Sequence, residues 1–158
     1  MPSPRMRVLV DTNVVLDVLL AREPFLEDAL GLLASGEAGT LELLLSTDTI
    51  STVFYIVSKN QGAAAAREAV AKLLDMVRLV ALDERAVMRA MLLDFTDLED
   101  ALVAAVAERE SARLIVTRNG ADFANSPVPA VAPGALLALL AAQGAGGQAE
   151  APAGETGA

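Results

Sequence analysis

Short apolar runs alternate along the chain with segments whose apolar residues recur at helical spacing. Residues 7–10 (RVLV) predict a strand, and the segment 13–20 that follows has the period of a helix. Strands are expected at 7–10, 41–45, 78–82, 113–117 and, as an edge strand because of its prolines, 128–131. Helices are expected at 13–20, 25–34, 47–59, 63–76, 84–93, 98–110 and 133–142, with a turn at 119–124.

This order of elements predicts a single α/β domain. Strands that are apolar throughout are typical of a parallel sheet covered by helices on both faces. The domain is expected to span residues 1–142. Residues 143–158 are mainly Gly, Ala and Glu without periodicity, so disorder is expected there. In such folds the functional crevice lies beyond the carboxyl ends of the strands.

Composition restricts the available chemistry. The 158 residues include neither Cys nor His, which excludes disulfides, thiolate zinc sites, histidine bases and Ser-His-Asp systems. The net charge of −9 argues against nucleic-acid binding through bulk attraction, but acids gathered in one cleft can hold a cation that bridges to phosphate. No apolar run approaches the roughly 18 to 20 residues of a membrane span, so we expect a soluble, cytoplasmic protein without membrane association.

Several acids and one amide stand where the predicted fold would bring them to one edge. Asp11 follows the first strand, and Asn119 and Asp122 follow the fourth. Asp97 and Asp100 stand at the start of a later helix that can point at the same edge. A hard cation such as Mg²⁺ is bound by oxygen ligands and retains several waters, so two or three carboxylates suffice. The sequence therefore predicts a divalent metal site.

Helix capping is the alternative for each of these residues. Asp and Asn are favoured N-cap residues, and Asp11 can cap the first helix. Asp97 with Asp100, and Asn119 with Asp122, have the spacing of a capping box. Asp100 fits this alternative least well, because the small apolar residues around it suggest a partly buried carboxylate that needs a partner.

Three neighbouring polar residues have two interpretations each, and a fourth has one. Asn13 is either an orienting amide or an ordinary first-turn residue. Thr117 can hydrogen-bond a phosphate or simply end its strand, and Arg118 can hold a phosphate or lie in solvent. Asp17, one helical turn beyond Asn13, is expected on a solvent-exposed face.

Four motifs, in this order, resemble the PIN domain, the fold of many bacterial toxin-type ribonucleases including the VapC group. They are RVLVDTNVVLDVLL, DFTDLEDALVAAVAE, RLIVTRNGADF and PVPAVAPGALLALL, and they extend to about Leu140. The resemblance implies a three-layer α/β/α sandwich with a mostly parallel central sheet. It also implies Mg²⁺ or Mn²⁺ dependence and metal-assisted cleavage of single-stranded RNA.

The resemblance also implies roles for individual residues. Asp11 and Asp100 match family acids and would bind the metal, and Asp97 matches an accessory acid. Asn119 falls at the position of the fourth acid, with Asp122 nearby. The expected catalytic set is Asp11, Asp97, Asp100, Asn119 and Asp122. Asn13, Thr117 and Arg118 would bind or orient the substrate.

One position departs from the family pattern. Thr52 stands where the family usually has Glu, and a hydroxyl is a much poorer ligand for a hard dication than a carboxylate. Asp48 lies one helical turn earlier on the same helix face and can compensate.

Two functions from different classes follow from these residues. The first is a metal-dependent endoribonuclease acting on RNA, with an antitoxin protein as a possible partner and a homodimer as a possible state. The second is a catalytically weakened PIN-like module that binds RNA or protein. A phosphatase of the haloacid dehalogenase type is disfavoured, because Asn13 stands where a second Asp would act as acid and base. A receiver domain is disfavoured because an adjacent acidic pair and a suitable late Lys are lacking.

Overall fold

The predicted order of strands and helices recurs in the computed structural model, which describes residues 4–148. The strands in this part of the chain are β1 (Met6–Val10), β2 (Leu41–Ser46), β3 (Arg78–Val80), β4 (Leu114–Val116) and β5 (Ala130–Val131). The helices are α1 (Thr12–Leu19), α2 (Leu26–Glu37), α3 (Thr47–Gln61), α4 (Ala63–Leu74), α5 (Glu84–Leu92), α6 (Leu98–Arg109) and α7 (Pro133–Gln148), and a single 3-10 turn spans Gly120–Phe123.

The five strands form one parallel sheet in the order β3-β2-β1-β4-β5. In the centre of the sheet, Leu9 of β1 lies opposite Leu44 of β2 and Ile115 of β4. The predicted parallel sheet is confirmed. Because all strands run the same way, their carboxyl ends meet at a single edge.

Helices cover both faces of the sheet. On one face, strand residues such as Val8 and Leu43 pack against α1, α2, α3, α4 and α7. On the other face, Leu9, Leu44 and Ile115 pack against α5 and α6. The three-layer sandwich implied by the family resemblance is therefore present. Alternate strand residues point to opposite faces, so each strand buries apolar side chains in both cores.

Some element boundaries differ from the predicted ones. β3 ends at Val80, before the predicted end at residue 82, and β5 is shortened to its last two predicted residues. α7 continues to Gln148, beyond the predicted end at residue 142, because alanines sustain the helix through glycine positions that only weaken it. The remaining part of the predicted tail, 149–158, lies outside the described residues. None of the helices between residues 4 and 148 is long and apolar enough to cross a membrane.

Helix α2 ends three residues beyond the predicted end at residue 34, and Gly36 lies inside it. A Cβ at Gly36 would lie 2.5 Å from Leu43 Cδ1 of β2, so glycine here allows α2 to pack closely on the sheet. The helix continues to Glu37, and the chain turns at Gly39, which has a positive φ of 77°.

Candidate metal centre at the carboxyl edge of the sheet

The pairing of β1 with β4 brings Asp11 and Thr117 together. Asp11 N donates to Val116 O at 2.9 Å, which continues the ladder one residue beyond β1. Thr117 Oγ1 donates to Asp11 Oδ2 at 2.8 Å. Asp11 is 8% exposed and Thr117 is fully buried. Two side chains that are distant in sequence thus form a buried polar pair at the edge where functional residues were expected.

Asp11 is both a helix cap and a buried carboxylate. Its Oδ1 accepts a hydrogen bond from Thr12 N at 2.8 Å and caps α1. Its Oδ2 accepts from Thr117 and, at 3.4 Å, from Asn13 Nδ2. Burial raises the pKa of Asp11, and the hydrogen bond from Thr117 opposes this effect. The capping alternative therefore describes one oxygen of Asp11 and leaves the other facing the polar cluster.

Thr117 connects the residues on both sides of Asp11. Besides donating to Asp11, its Oγ1 accepts from Asn13 Nδ2 at 3.2 Å and from Asn119 N at 3.1 Å. Arg118 N donates to Asn13 Oδ1 at 3.4 Å. Asn13 therefore bridges the two strand ends. Asn119 joins this network through its backbone, while its side chain is exposed.

The start of α6 brings two more carboxylates to this edge. Asp97 Oδ1 accepts from Asp100 N at 3.2 Å, so Asp97 caps α6 as the capping alternative predicted. Asp100 is half-buried. Its burial, together with the negative charges of Asp97, Asp11, Asp122 and Glu99, raises the pKa of Asp100 to about 6. Acids from separate segments of the chain therefore form one electrostatic cluster.

An open cavity of about 620 Å³ lies beside these acids. Asp97, Asp100 and Asp122 line it together with Asp94 and Asn125, which sequence reasoning did not select. Asp94 belongs to the acidic cluster ahead of α6, so its proximity to Asp97 was the available signal. No sequence signal pointed to Asn125, because its position depends on the 3-10 turn that precedes it. Its Nδ2 donates to Asp94 O at 3.1 Å.

The Asn119–Asp122 pair does not form the predicted capping box. The side chain of Asn119 makes no capping hydrogen bond to the 3-10 turn, although Asp122 N donates to Asn119 O at 3.0 Å. Asp122 is exposed and faces the cavity, where its charge contributes to the raised pKa of Asp100.

Helix α3 contributes Asp48 to the cluster. Burial raises the pKa of Glu99, and the charges of Asp11, Asp97 and Asp48 raise it further. Thr52 lies one turn beyond Asp48 and is exposed. The carboxylate of α3 that acts electrostatically on this edge is therefore Asp48. Glu99 was missed by sequence reasoning because helix periodicity alone does not separate it from an ordinary exposed acid.

The expectation that Asp17 lies on a solvent-exposed face is wrong. Asp17 is 1% exposed, and its Oδ2 accepts a hydrogen bond from Arg118 Nε at 2.6 Å. Arg118 also stacks over the ring of Phe25, with its Cζ 4.0 Å from the ring centroid. Sequence reasoning missed this pair because Asp17 and Arg118 come from elements that meet only in the folded sheet.

The donor set suits a hard cation that retains part of its hydration shell. Within residues 4–148, no three acidic side chains are close enough together to form a complete metal cage. Mg²⁺ is commonly held by one or two carboxylates plus waters, and Asp11 and Asp100 can supply such a pair. Burial and the neighbouring negative charges raise the pKa of Asp100, and a bound dication would stabilise the ionised carboxylate against both effects.

The protein is therefore a parallel α/β/α sandwich with a cavity at the carboxyl edge of its strands, and this cavity is lined by carboxylates. The chain belongs to the PIN domain family, whose model matches residues 7–121. This match covers most of the chain and includes Asp11, Asp97, Asp100 and Asn119, whereas Asp122 lies one residue beyond it.

Known proteins of similar sequence and structure agree with this assignment. The chain is 27% identical to Ribonuclease VapC1 of Aquifex aeolicus (strain VF5) over 118 residues, which is 72% of this chain and 81% of that protein. A toxin-antitoxin complex from Klebsiella pneumoniae contains a chain of similar fold, with a TM-score of 0.60, 23% identity and coverage of 80% of this chain and 97% of that one. VapC20 of Mycobacterium tuberculosis, described as a toxin that cleaves the sarcin-ricin loop, has a TM-score of 0.61, 19% identity and coverage of 77% and 95%.

Proposed function

We propose that this protein is a Mg²⁺- or Mn²⁺-dependent endoribonuclease that cleaves single-stranded RNA and acts as the toxin of a toxin-antitoxin pair. The observation that carries the proposal is the set of carboxylates at the carboxyl edge of the sheet, where the buried Asp11 follows β1 and where Asp97, Asp100 and Asp122 line one cavity. Burial, and then the charges of neighbouring acids, raise the pKa of Asp100 to about 6. The name of the Aquifex relative supports ribonuclease activity, and the Klebsiella complex supports an antitoxin partner.

Asp11 and Asp100 would hold the cation. When bound, a divalent cation activates the phosphoryl group and lowers the pKa of water. Thr117 and Asn13 would keep the Asp11 carboxylate in its orientation through their hydrogen bonds to Oδ2. Thr117 is fully buried and Asn13 half-buried, which restricts that orientation and suits a site that must hold a phosphodiester in one geometry.

The exposed residues around the cavity would act on the RNA. In hydrolysis the water oxygen would form a bond to phosphorus and lose a proton, while the bond from phosphorus to the leaving ribose oxygen breaks and that oxygen takes up a proton from solvent. Asp97 and Asp122 line the cavity and can accept the proton that the water loses. The side chain of Asn119 is exposed at the same edge and can donate hydrogen bonds to a phosphate oxygen. The hydrogen bond to Asp17 fixes the guanidinium of Arg118, whose positive charge would stabilise the negative charge of the phosphate.

Cleavage of single-stranded RNA in Mn²⁺ tests the nuclease proposal. The wild type is compared with Asp11→Asn and Asp100→Asn, and Asp28→Asn on the exposed surface of α2 serves as a matched loss of one charge. Cleavage is expected to fall at least about a hundredfold in the two site variants and to stay unchanged in the control. Equal activity in all four proteins would remove the proposal.

The alternative function is a PIN-like module that binds RNA or protein without cutting it. The exposed Thr52, at the position where relatives usually have Glu, favours this alternative. Thermal unfolding with Mn²⁺ separates the two functions, because a ligand that binds the folded state raises the unfolding temperature. A rise that is lost in Asp11→Asn supports the nuclease. No rise in the wild type, together with retained RNA binding, supports the module.

A further inference from the structure

Arginines gather at the amino edge of the sheet, opposite the acidic cavity. Arg7 lies on β1 and Arg78 on β3, while Arg5 and Arg113 directly precede β1 and β4. Because side chains alternate along a strand, Arg7 shares the face of Leu9, and Arg113 shares the face of Ile115. This is the face covered by α5 and α6. The two arginines precede its buried residues Leu9 and Ile115 by two positions along their strands.

Glu42 is the acid placed among these arginines, and two of them already pair with it. Arg7 Nε lies 3.0 Å from Glu42 Oε2, and Arg78 Nη1 lies 2.9 Å from Oε1. These hydrogen bonds, led by the one from Arg78, hold the pKa of Glu42 below its ordinary value. Within the described residues, Arg5 and Arg113 form no ion pair, and both are exposed. Two guanidinium groups therefore remain available to a ligand.

Arg5, Arg7 and Arg113 line one open cavity of about 900 Å³, which we call the arginine pocket. Glu42 is the acid that lines it, and the backbone turns at Gly39 and Ser111 form part of its wall. The Arg5 guanidinium reaches the Gly39 turn, since a Cβ there would lie 3.7 Å from Arg5 Nη1.

The arginine pocket carries a positive excess on a strongly acidic chain. Three arginines face one glutamate, whose charge is shared with Arg78 outside the pocket. Asp75 lines a smaller adjoining cavity of about 230 Å³. Glu110, which precedes Ser111, pairs its carboxylate with Arg109 at 3.0 Å. With a net charge of −9, most of the surface repels anions, so a local positive pocket becomes the favoured point of approach.

We propose that the arginine pocket binds a phosphate group through Arg5 and Arg113. A guanidinium donates two parallel hydrogen bonds to phosphate oxygens, and two such groups on one cavity can hold the group from both sides. The phosphate can be free or can belong to the backbone of a single-stranded RNA. Arg7 and Asp11 are separated along β1 by about 13 Å, at roughly 3.3 Å per residue. The arginine pocket and the acidic cavity are therefore separate sites, and phosphate can bind in the pocket without RNA being cleaved at the opposite edge.

The test uses two probes in EDTA, so that the acidic cavity holds no cation: inorganic phosphate and a short single-stranded RNA. The variant is Arg5→Ala combined with Arg113→Ala. The control is Arg67→Ala combined with Arg85→Ala, which removes two exposed charges from the surfaces of α4 and α5. Circular dichroism verifies that both variants remain folded.

For inorganic phosphate, the amide resonances of Arg5, Gly39 and Ser111 are followed by NMR at constant ionic strength. Saturable shifts in the wild type and the control, lost in the Arg5/Arg113 variant, are expected. For RNA, affinity is measured against salt concentration. Loss of two phosphate contacts should lower the slope of log affinity against log salt by about 1.4, at about 0.7 per contact.

Each outcome bears on the site. Loss of the RNA response in the Arg5/Arg113 variant, with or without loss of the response to inorganic phosphate, assigns the pocket to nucleic-acid phosphate. Loss of the response to inorganic phosphate alone assigns it to free phosphate. If neither probe distinguishes this variant from the Arg67/Arg85 control, the pocket is not a phosphate site. That result would leave the proposed nuclease untouched, because no cleavage is measured.

Discussion

Arg118 Nε donates to the buried carboxylate of Asp17 at 2.6 Å, and this contact ties the end of β4 to α1 beside the acidic site. Asp17 is 1% exposed, whereas the side chain of Arg118 keeps 25% of its surface in solvent and stacks on Phe25. Arg22 Nη1 is a second, more distant partner of Asp17 at 4.0 Å. The buried carboxylate of Asp17 therefore depends on Arg118 for neutralisation, whereas the guanidinium of Arg118 can also be hydrated by solvent.

Removing Arg118 should cost more stability than removing the charge of Asp17. Arg118→Met leaves a buried carboxylate with only a distant cation and should lower the free energy of unfolding by about 3 kcal/mol. Asp17→Asn leaves a partly exposed guanidinium that can be hydrated, and should cost about 1 kcal/mol. Urea denaturation of both variants measures the difference. The reverse order would show that the pair is not governed by the burial of Asp17.

The stability of the metal-free protein should depend on the ionisation of Asp100. Its pKa of about 6 in the folded state lies above the ordinary value of 3.8, so the folded protein holds this proton more tightly than the unfolded chain. The resulting contribution is fully present below about pH 4 and is lost as pH rises through 6. Asp100→Asn removes this dependence.

Unfolding free energies in EDTA between pH 4 and pH 7 test the role of Asp100. Asp100→Asn should match the wild type near pH 4 and become more stable than the wild type above pH 6. Asp28→Asn, on the exposed surface of α2, is the matched loss of one carboxyl group. A difference between Asp100→Asn and the wild type that does not change with pH would contradict the raised pKa of Asp100.

Thr117 should set the pH range in which Asp11 can bind a cation. Its hydroxyl donates to Asp11 Oδ2 and lowers the pKa of a carboxyl that burial otherwise raises. Thr117→Val keeps the shape but removes the donor, so Mn²⁺ binding should require a higher pH. Thr117→Ser retains the hydroxyl and should restore the wild-type profile. Mn²⁺ titration at several pH values gives the midpoint, and coincident profiles for all three proteins would exclude this role.

Asp48 should matter more for cation binding than Thr52, although the family resemblance predicts a glutamate at the position of Thr52. The charge of Asp48 contributes to the raised pKa of Glu99, whereas Thr52 is exposed one turn away. Asp48→Asn should weaken Mn²⁺ affinity by roughly tenfold, the lower end of the effect expected for an outer partner of a metal site. Thr52→Ala should leave the affinity within about twofold. Calorimetric titration compares the two variants, and a larger loss in Thr52→Ala would reverse the assignment.

The order of strands and helices could be read from the sequence because it depends on local patterning. The valine- and leucine-rich runs predicted a sheet buried on both faces, and β1 to β4 are parallel strands in that sheet. The position of Asp11 at the end of β1 was predictable for the same reason. Boundaries were less predictable where packing overrides propensity, as at Gly36, which lies inside α2 because the helix passes close to Leu43.

The sequence by itself determined the fold class, the family and some of the acids that reach the carboxyl edge, such as Asp11 and Asp100, because periodicity, residue type and motif order are properties of short segments. The tertiary structure alone decided which of those acids affect one another and which arginines are free. Asp17 and Arg118 are 101 residues apart and meet only because β1 pairs with β4. Likewise, Arg5 and Arg113 line one cavity only because of that strand register, since burial and electrostatic coupling depend on distances in space that no local pattern encodes.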